Sequence, residues 1–449
     1  MDFLNDKIRP MYFKYLSAAF GSTLMSSIYG LVDMAMVGQY QGPEGTAALS
    51  VVAPVWNIIY SLGLLTGIGG SVIFATKRSS PETKRNEDQI YFSSSFILSI
   101  ILSILAWIGI IFFEKPILHF FGADETLYIL SKEYLKPIKF VFPTFLFNQM
   151  LAAFLRNDGN PSLATIAVLA GGIFNIFGDY FFVFPCKMGL YGAGLATAIG
   201  SAISSLVMIS HFFTRKNTLR LVKINDFFRR AKDIIVVGFS TFFIDCAMGF
   251  LTILFNRQIM HYLGGDALAV YGPIINISTF AQCCAYSVGQ ASQPIISANY
   301  GNKNAPRIRE TLRLALITCA FFAFFWTALS LSVPNLYIKI FMKANENIFT
   351  IAPKIIRTYS ISFLLLPFNI FSTYYFQSIM KPKTAFIVSV ARGLVISGIL
   401  ILILPLIFNP QSLWLTMPLT ELFVFVYVFA KIKKFTSQLE KENNLSIAK

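Results

Sequence analysis

The chain has 449 residues, of which 55% are hydrophobic and 13% charged, against roughly 45–50% and about 25% in soluble proteins, so an ordinary soluble domain is excluded. A formal charge of +15 would suggest nucleic acid in a soluble chain, but here the basic residues are scattered over many short loops and read as topology signals. Five cysteines (Cys186, Cys246, Cys283, Cys284, Cys319) lie mostly inside apolar runs, and three histidines (His119, His211, His261) stand at no zinc-ligand spacing. Neither disulfides nor a structural metal is expected.

The N-terminal MDFLNDKIRP is polar, and the apolar segment after it has no small-residue cleavage site behind a short core, so it reads as a retained helix rather than a signal peptide. A spanning helix needs about 20 apolar residues, and segments near 12–37, 46–74, 89–113, 134–155, 162–184 and 189–213 predict six spans. A basic stretch follows, and segments near 231–256, 266–298, 311–332, 352–379, 384–407 and 411–431 predict six more. Segments 46–74 and 266–298 exceed one crossing and are expected to project or tilt. The expected organisation is therefore an all-α polytopic membrane protein of 12 helices: an N-lobe (1–213), a basic cytoplasmic linker (214–230), a C-lobe (231–435) and a cytoplasmic tail (436–449).

An even span count puts both termini on one side. On the side of the termini the loops carry 26 Lys and Arg; the opposite loops carry 10, Lys343 among them, and Arg392 lies within a span. The positive-inside rule then predicts cytoplasmic termini. TAALSVVAPVWNI (46–58) aligns with GDALAVYGPIINI (265–277) at six of thirteen positions, at an offset of 219 residues. Six spans per copy preserve orientation, so the halves read as a parallel repeat about an axis along the membrane normal.

Charges within hydrocarbon are costly and by default functional. Five ionisable residues fall in predicted spans: Asp33, Asp179, Asp245, Arg392 and Glu421. Given the alternating direction of the spans, Asp33, Asp179 and Thr197 share the outer half of the membrane, and Asn175 stands one helical turn from Asp179 on the same face. Two carboxylates, an amide and a hydroxyl form an all-oxygen set suited to a hard cation such as Na+, or to a proton if crowding raises a carboxylate pKa; the competing reading is helix–helix hydrogen bonding. In the second half Asp245, Arg392 and Glu421 include a base, so either a transport site or a structural ion pair fits them, and Gln290 and Gln293 could line the same cavity or bond between helices. Small residues at Gly192, Ala196, Gly200 and Ser204, and at Gly63 and Gly67, read as close-packing helix faces. GIGG (67–70) is followed by neither GK[ST] nor a strand and is no phosphate loop. Energy is therefore expected from an ion gradient, with no cofactor.

IYGLVDMAMVGQ (28–39), AALSVVAPVWN, RNDGNP (156–161), NIFGDYFFVF (175–184) and GLYGAGLATAI (189–199), with GFSTFFIDCAMGFLTILFN (238–256), VGQASQPIISANYGN (288–302), the Arg392 region and PLTE (418–421), resemble the multidrug and toxic compound extrusion (MATE) family over nearly the whole chain. The resemblance implies two six-helix lobes in a V shape. It implies export of amphipathic, often cationic compounds in exchange for Na+ or H+; the expected protein is a monomeric antiporter of the inner membrane exporting drugs or toxic metabolites. It also marks Asp33, Asn175, Asp179 and Thr197 as the N-lobe cation site and places Asp245 where relatives often carry an acidic residue. The stretch ATKRSSPETKRNED departs from the family in lacking a glycine-containing turn, which NYGNKN keeps. A lipid-linked sugar flippase of the same superfamily would more naturally show a strongly cationic cavity or extra spans. An intramembrane enzyme finds no support in any HExxH or Ser/His arrangement.

Overall fold

The computed structural model describes residues 2–84, 86–341 and 346–447, with side chains for all but Phe341 and the residues after Lys441. Arg85 and Lys343, both used in the charge count, and the last two residues of the 436–449 tail lie outside the described residues. The described fold is helical: α1 (Ile8–Ser79), α2 (Glu87–Phe112), α3 (Glu114–Phe120), α4 (Glu125–Ile138), α5 (Phe142–Asn157), α6 (Pro161–Val183), α7 (Gly189–Ile209), α8 (Phe227–Leu263), α9 (Gly265–Gly301), α10 (Ala305–Ser332), α11 (Pro334–Phe341), α12 (Glu346–Ser360), α13 (Leu366–Ser378), α14 (Pro382–Val390), α15 (Ile396–Ile407) and α16 (Thr416–Ile447).

Among the described residues ten helices are long and apolar enough to cross a membrane, or eleven when the bent pair α4 and α5 is taken as one span. The difference from twelve arises in α1, where 72 residues run as one element although Gly42, with φ 70° and ψ −154°, is not helical. A 72-residue helix is about 108 Å long at 1.5 Å per residue, several times a bilayer core of about 30 Å. The predicted span 134–155 is also revised. Its start belongs to α4, which meets α5 at 61°, because Pro143 near the head of α5 has no N–H to donate to the Lys139 carbonyl four residues back and its ring crowds that carbonyl. Projection beyond the bilayer extends to α8, whose 37 residues reach about 55 Å.

The chain divides into two compact units, one built on Ser17–Phe242 and the other on Phe3–Leu16 with Phe243–Lys449. In the first, Val52, Leu146, Val183 and Leu190 belong to one buried apolar cluster, and Phe74, Phe92, Phe154 and Leu219 to another. In the second, Phe255 stacks on Tyr271 with ring centres 4.9 Å apart, and Trp414 packs against both. The N-terminal arm joins this unit through hydrogen bonds. Arg307 donates to the carbonyls of Phe3 and Asp6 at 2.9 and 2.7 Å, and the Tyr12 hydroxyl donates to Thr318 at 3.0 Å.

The basic linker after α7 is held against the first unit. Asp158, in the turn between α5 and α6, has a side chain only 1% exposed. It accepts from the backbone N–H of Thr218 at 3.0 Å, from the Thr218 hydroxyl, from His211 Nε2 at 2.8 Å and from Arg78 at 2.9 Å. Asn160 Nδ2 lies 3.2 Å from the other ring nitrogen, so a His211 tautomer with its proton on Nε2 satisfies both partners. Burial pushes the Asp158 carboxyl up, but the donors from His211, Thr218 and Arg78 outweigh it and hold the group below the usual carboxylate range.

Candidate functional site

Glycines on α6 and α7 let the two helices approach until their polar side chains meet. A Cβ on Gly171 would stand 2.4 Å from the Gly200 carbonyl oxygen, and one on Gly178 would stand 2.9 Å from the Ala196 methyl. The polar residues on the same faces are thereby brought together. Asn175 Nδ2 donates to Thr197 Oγ1 at 3.1 Å and to Asp179 Oδ1 at 3.4 Å. On the far side of α7, Gly194 admits the backbone of α4, since a Cβ there would lie 2.0 Å from the Tyr134 carbonyl oxygen. That approach carries the Tyr134 phenol into the same cluster. Its hydroxyl donates to Asp33 Oδ2 at 2.7 Å and is also hydrogen-bonded with Thr197.

Asp33, Asn175, Asp179 and Thr197 are thus collected from α1, α6 and α7, all four buried. Asp33 and Asp179 act on each other electrostatically, and no Lys or Arg among the described residues offsets either charge. Three acceptor oxygens in the cluster, Asp33 Oδ1, Asn175 Oδ1 and Asp179 Oδ2, are buried without a hydrogen-bond partner. Buried acceptors left in this state are costly, and a cation or a proton is the species that would satisfy them. Hard oxygen donors fit Na+, and either carboxyl could equally carry a proton. Beside the cluster a cavity of about 70 Å³ is lined by Ser26, Tyr29, Asn148, Asn175, Thr197 and Ser201 among others, so neutral polar groups border it.

In the second unit Arg392 occupies a π-helical turn (391–395) between α14 and α15, a local irregularity common at functional positions. Its Nε donates to Glu421 Oε1 at 2.8 Å, with both side chains essentially inaccessible. Asn369 on α13 donates to the Glu421 carboxylate at 2.6 Å and to its backbone carbonyl at 2.8 Å. Arg392 and Glu421 are therefore brought together as an ion pair. Asp245 is half-buried on α8, and its charge, like that of Arg392, acts on Tyr286. Gln290 and Gln293 are buried on α9, the latter donating to Ser297 at 3.4 Å. A larger cavity, of about 710 Å³ around Asp266, Asn347, Lys354 and Gln411, is lined by none of Asp245, Gln290, Gln293, Arg392 and Glu421.

Residues absent from the sequence expectation are Tyr134, Asn148 and Asn369. Asn148 Nδ2 donates to the Ser201 carbonyl at 3.0 Å, while its Oδ1 accepts from Ser205 at 2.7 Å. Each is an amide or phenol within an apolar stretch, a weaker form of the signal that marks intramembrane charges.

Comparison with known proteins places the chain in a family. The multidrug export protein MepA of Staphylococcus saprophyticus is 26% identical over 302 residues, covering 66% of this chain and 65% of that protein, so the aligned region falls just short of two thirds of that relative. MepA of Staphylococcus aureus strain MRSA252 is 24% identical over 384 residues, 84% of this chain and 83% of the relative. Among solved structures, the outward-facing conformation of a multidrug resistance MATE family transporter of the MOP superfamily superposes with a TM-score of 0.89 at 20% identity, over 98% of both chains. A MOP superfamily transporter from Pyrococcus furiosus, described as having a binding pocket of reversed polarity, superposes with 0.87 at 21% identity, again over 98% of both. The MatE family model matches twice, at residues 18–181 and 240–403, so each half of the chain carries a copy. The chain belongs to the MatE family of membrane transporters, which are not enzymes.

Proposed function

We propose that the chain is a secondary active antiporter that exports amphipathic, cationic drugs or toxic metabolites in exchange for Na+ or H+. The observation that carries the reading is the set of three partnerless acceptor oxygens on Asp33, Asn175 and Asp179, with no base beside them among the described residues. Binding of the coupling ion neutralises charge that is costly in hydrocarbon. The ion therefore biases the conformations that differ in how they expose that charge, which is how it would drive alternating access. The multidrug export named in the relatives supports the substrate class. The charge asymmetry of the loops supports cytoplasmic termini; we read the chain as crossing the inner membrane twelve times, as a monomer. On this reading Arg392 and Glu421 are a structural pair in the C-lobe, and Asp245 is the carboxylate offered to a cationic substrate.

Reconstitution into liposomes, with a Na+ or a proton gradient imposed one at a time, tests the proposal by efflux of a fluorescent organic cation. Asp33→Asn and Asp179→Asn should each abolish gradient-driven efflux while leaving the protein folded. Unchanged ion-driven efflux in both variants would remove the coupling site.

A further inference from the structure

We propose that residues 213–229 form a docking strip for anionic phospholipid headgroups. This strip joins the last turn after α7 to the first turn of α8, so it lies at a membrane boundary whatever the protein transports. Its backbone is fixed from within. Arg220 N–H donates to Gln89 Oε1 at 2.8 Å, Gln89 Nε2 donates to the Thr218 carbonyl at 3.1 Å, and Val222 N–H donates to Ser93 Oγ at 2.9 Å. Asp158 holds Thr218, and Leu219 is buried at 2% exposure.

With the backbone pinned, the side chains divide by character. Arg215, Lys216, Arg220, Lys223 and Arg229 are all exposed, and none joins an ion pair among the described residues. Arg230, the next residue, turns inward instead, to Glu87 at 3.5 Å and the Tyr91 hydroxyl at 2.7 Å. Between the outward bases stand large apolar side chains: Phe213 and Phe228 are each 87% exposed and Leu221 is 63% exposed. Asp226 is the one acid between Thr214 and Arg229. Interleaved bases and aromatic rings at a membrane boundary fit one surface chemistry, in which the rings enter the acyl boundary and the guanidinium and ammonium groups meet phosphate. Because the strip is already ordered, little chain entropy is lost when it binds.

The test uses the full-length protein in a neutral detergent, titrated with phosphatidylglycerol or phosphatidylcholine and followed by thermal unfolding. Phosphatidylglycerol should stabilise at lower concentration. Each basic residue near an anionic surface is worth roughly fivefold in preference, so the combined substitution Arg215→Gln, Arg220→Gln, Lys223→Gln should reduce the preference roughly a hundredfold. The same preference should shrink when salt is raised from about 0.1 to about 1 M, where the screening length drops from about 10 to about 3 Å. The charge-keeping variant Arg215→Lys, Arg220→Lys should retain it. Photoreactive phosphatidylglycerol on the unaltered protein gives a second measurement, with cross-links expected in the 213–229 peptide. Equal stabilisation by both lipids, full preference in the neutralised variant, the same effect from inorganic phosphate alone, or cross-links confined to other peptides would each overturn the proposal.

Discussion

The Tyr134 hydroxyl lies 2.7 Å from Asp33 Oδ2 and donates to it, although the two residues are 101 positions apart and lie on different helices. The bond leaves Asp33 Oδ1 as the open acceptor of that carboxylate. Tyr134→Phe removes this donor to Asp33 without changing the ring. Without it the ion-free carboxylate loses a hydrogen bond to a charged group, worth about 1.5–3 kcal/mol, so the apparent affinity for the coupling ion should tighten by roughly tenfold or more. Ion-concentration dependence of efflux in proteoliposomes measures this. Drug binding without a gradient should stay close to that of the unaltered protein, and an unchanged ion dependence would show that Tyr134 only packs.

Gly194 sets where Tyr134 stands. A methyl group there would collide with the Tyr134 carbonyl at 2.0 Å, so Gly194→Ala must push α4 away from α7. Overpacking of this kind costs about 1–3 kcal/mol. The variant should therefore show both a lower thermal midpoint in detergent and the shifted ion dependence of Tyr134→Phe. A Gly109→Ala control, at a position with no neighbour within 4 Å, should show neither.

The Arg392–Glu421 pair predicts a non-additive series. Removing one partner leaves the other charge buried, which costs about 3–5 kcal/mol, so Arg392→Met and Glu421→Gln should each be strongly destabilising. The double substitution should recover part of that loss. Thermal unfolding of the three variants checks this, and strict additivity would contradict a closed pair. Transport by the double variant would separate structural support from substrate contact.

Asp158 predicts a pH dependence whose sign follows from its lowered pKa. A carboxyl held below its unfolded value of about 3.9 contributes stability that is fully present above that value and is lost as pH falls through the folded one. The thermal midpoint should be flat in this respect from pH 8 to pH 5 and should drop below about pH 4. Asp158→Asn should cost about 2–3 kcal/mol of stability at pH 7, as for a buried charge-assisted network, and so lower the midpoint there, and should flatten the acid limb. An acid limb of the same size in the variant would assign it to other carboxyls, such as Glu87, where burial raises the group but Lys77 and Arg230 hold it below its usual range.

Much of this was legible in the sequence because hydrocarbon makes charge conspicuous. Asp33, Asp179, Arg392 and Glu421 stood out in apolar runs, and the four-residue spacing of Asn175 and Asp179 foretold their shared face. Tyr134 was not legible as a site residue. The apolar window absorbed it into a straight span, whereas Pro137 and Pro143 bracket a bend that leaves Tyr134 on a separate helix. Nor could sequence spacing say that Glu421 is met by Arg392 and Asn369, because that depends on three helices converging. The linker followed the same pattern: its charge was visible, but its attachment through Asp158, Gln89 and Ser93 depends on partners 60 or more positions away.

Asn175 commits its amide nitrogen to Thr197 and Asp179, which leaves its oxygen as a neutral acceptor. The fixed negative charge of the N-lobe site is then that of two carboxylates and nothing more. Under the proposed coupling, electroneutrality sets a ceiling on the exchange: two monovalent ions per turnover at most, whether two protons, two sodium ions or one of each. For a cargo of charge +1, the number of ions fixes whether the membrane potential assists, opposes or ignores each cycle, and transport under a clamped potential would read that number directly.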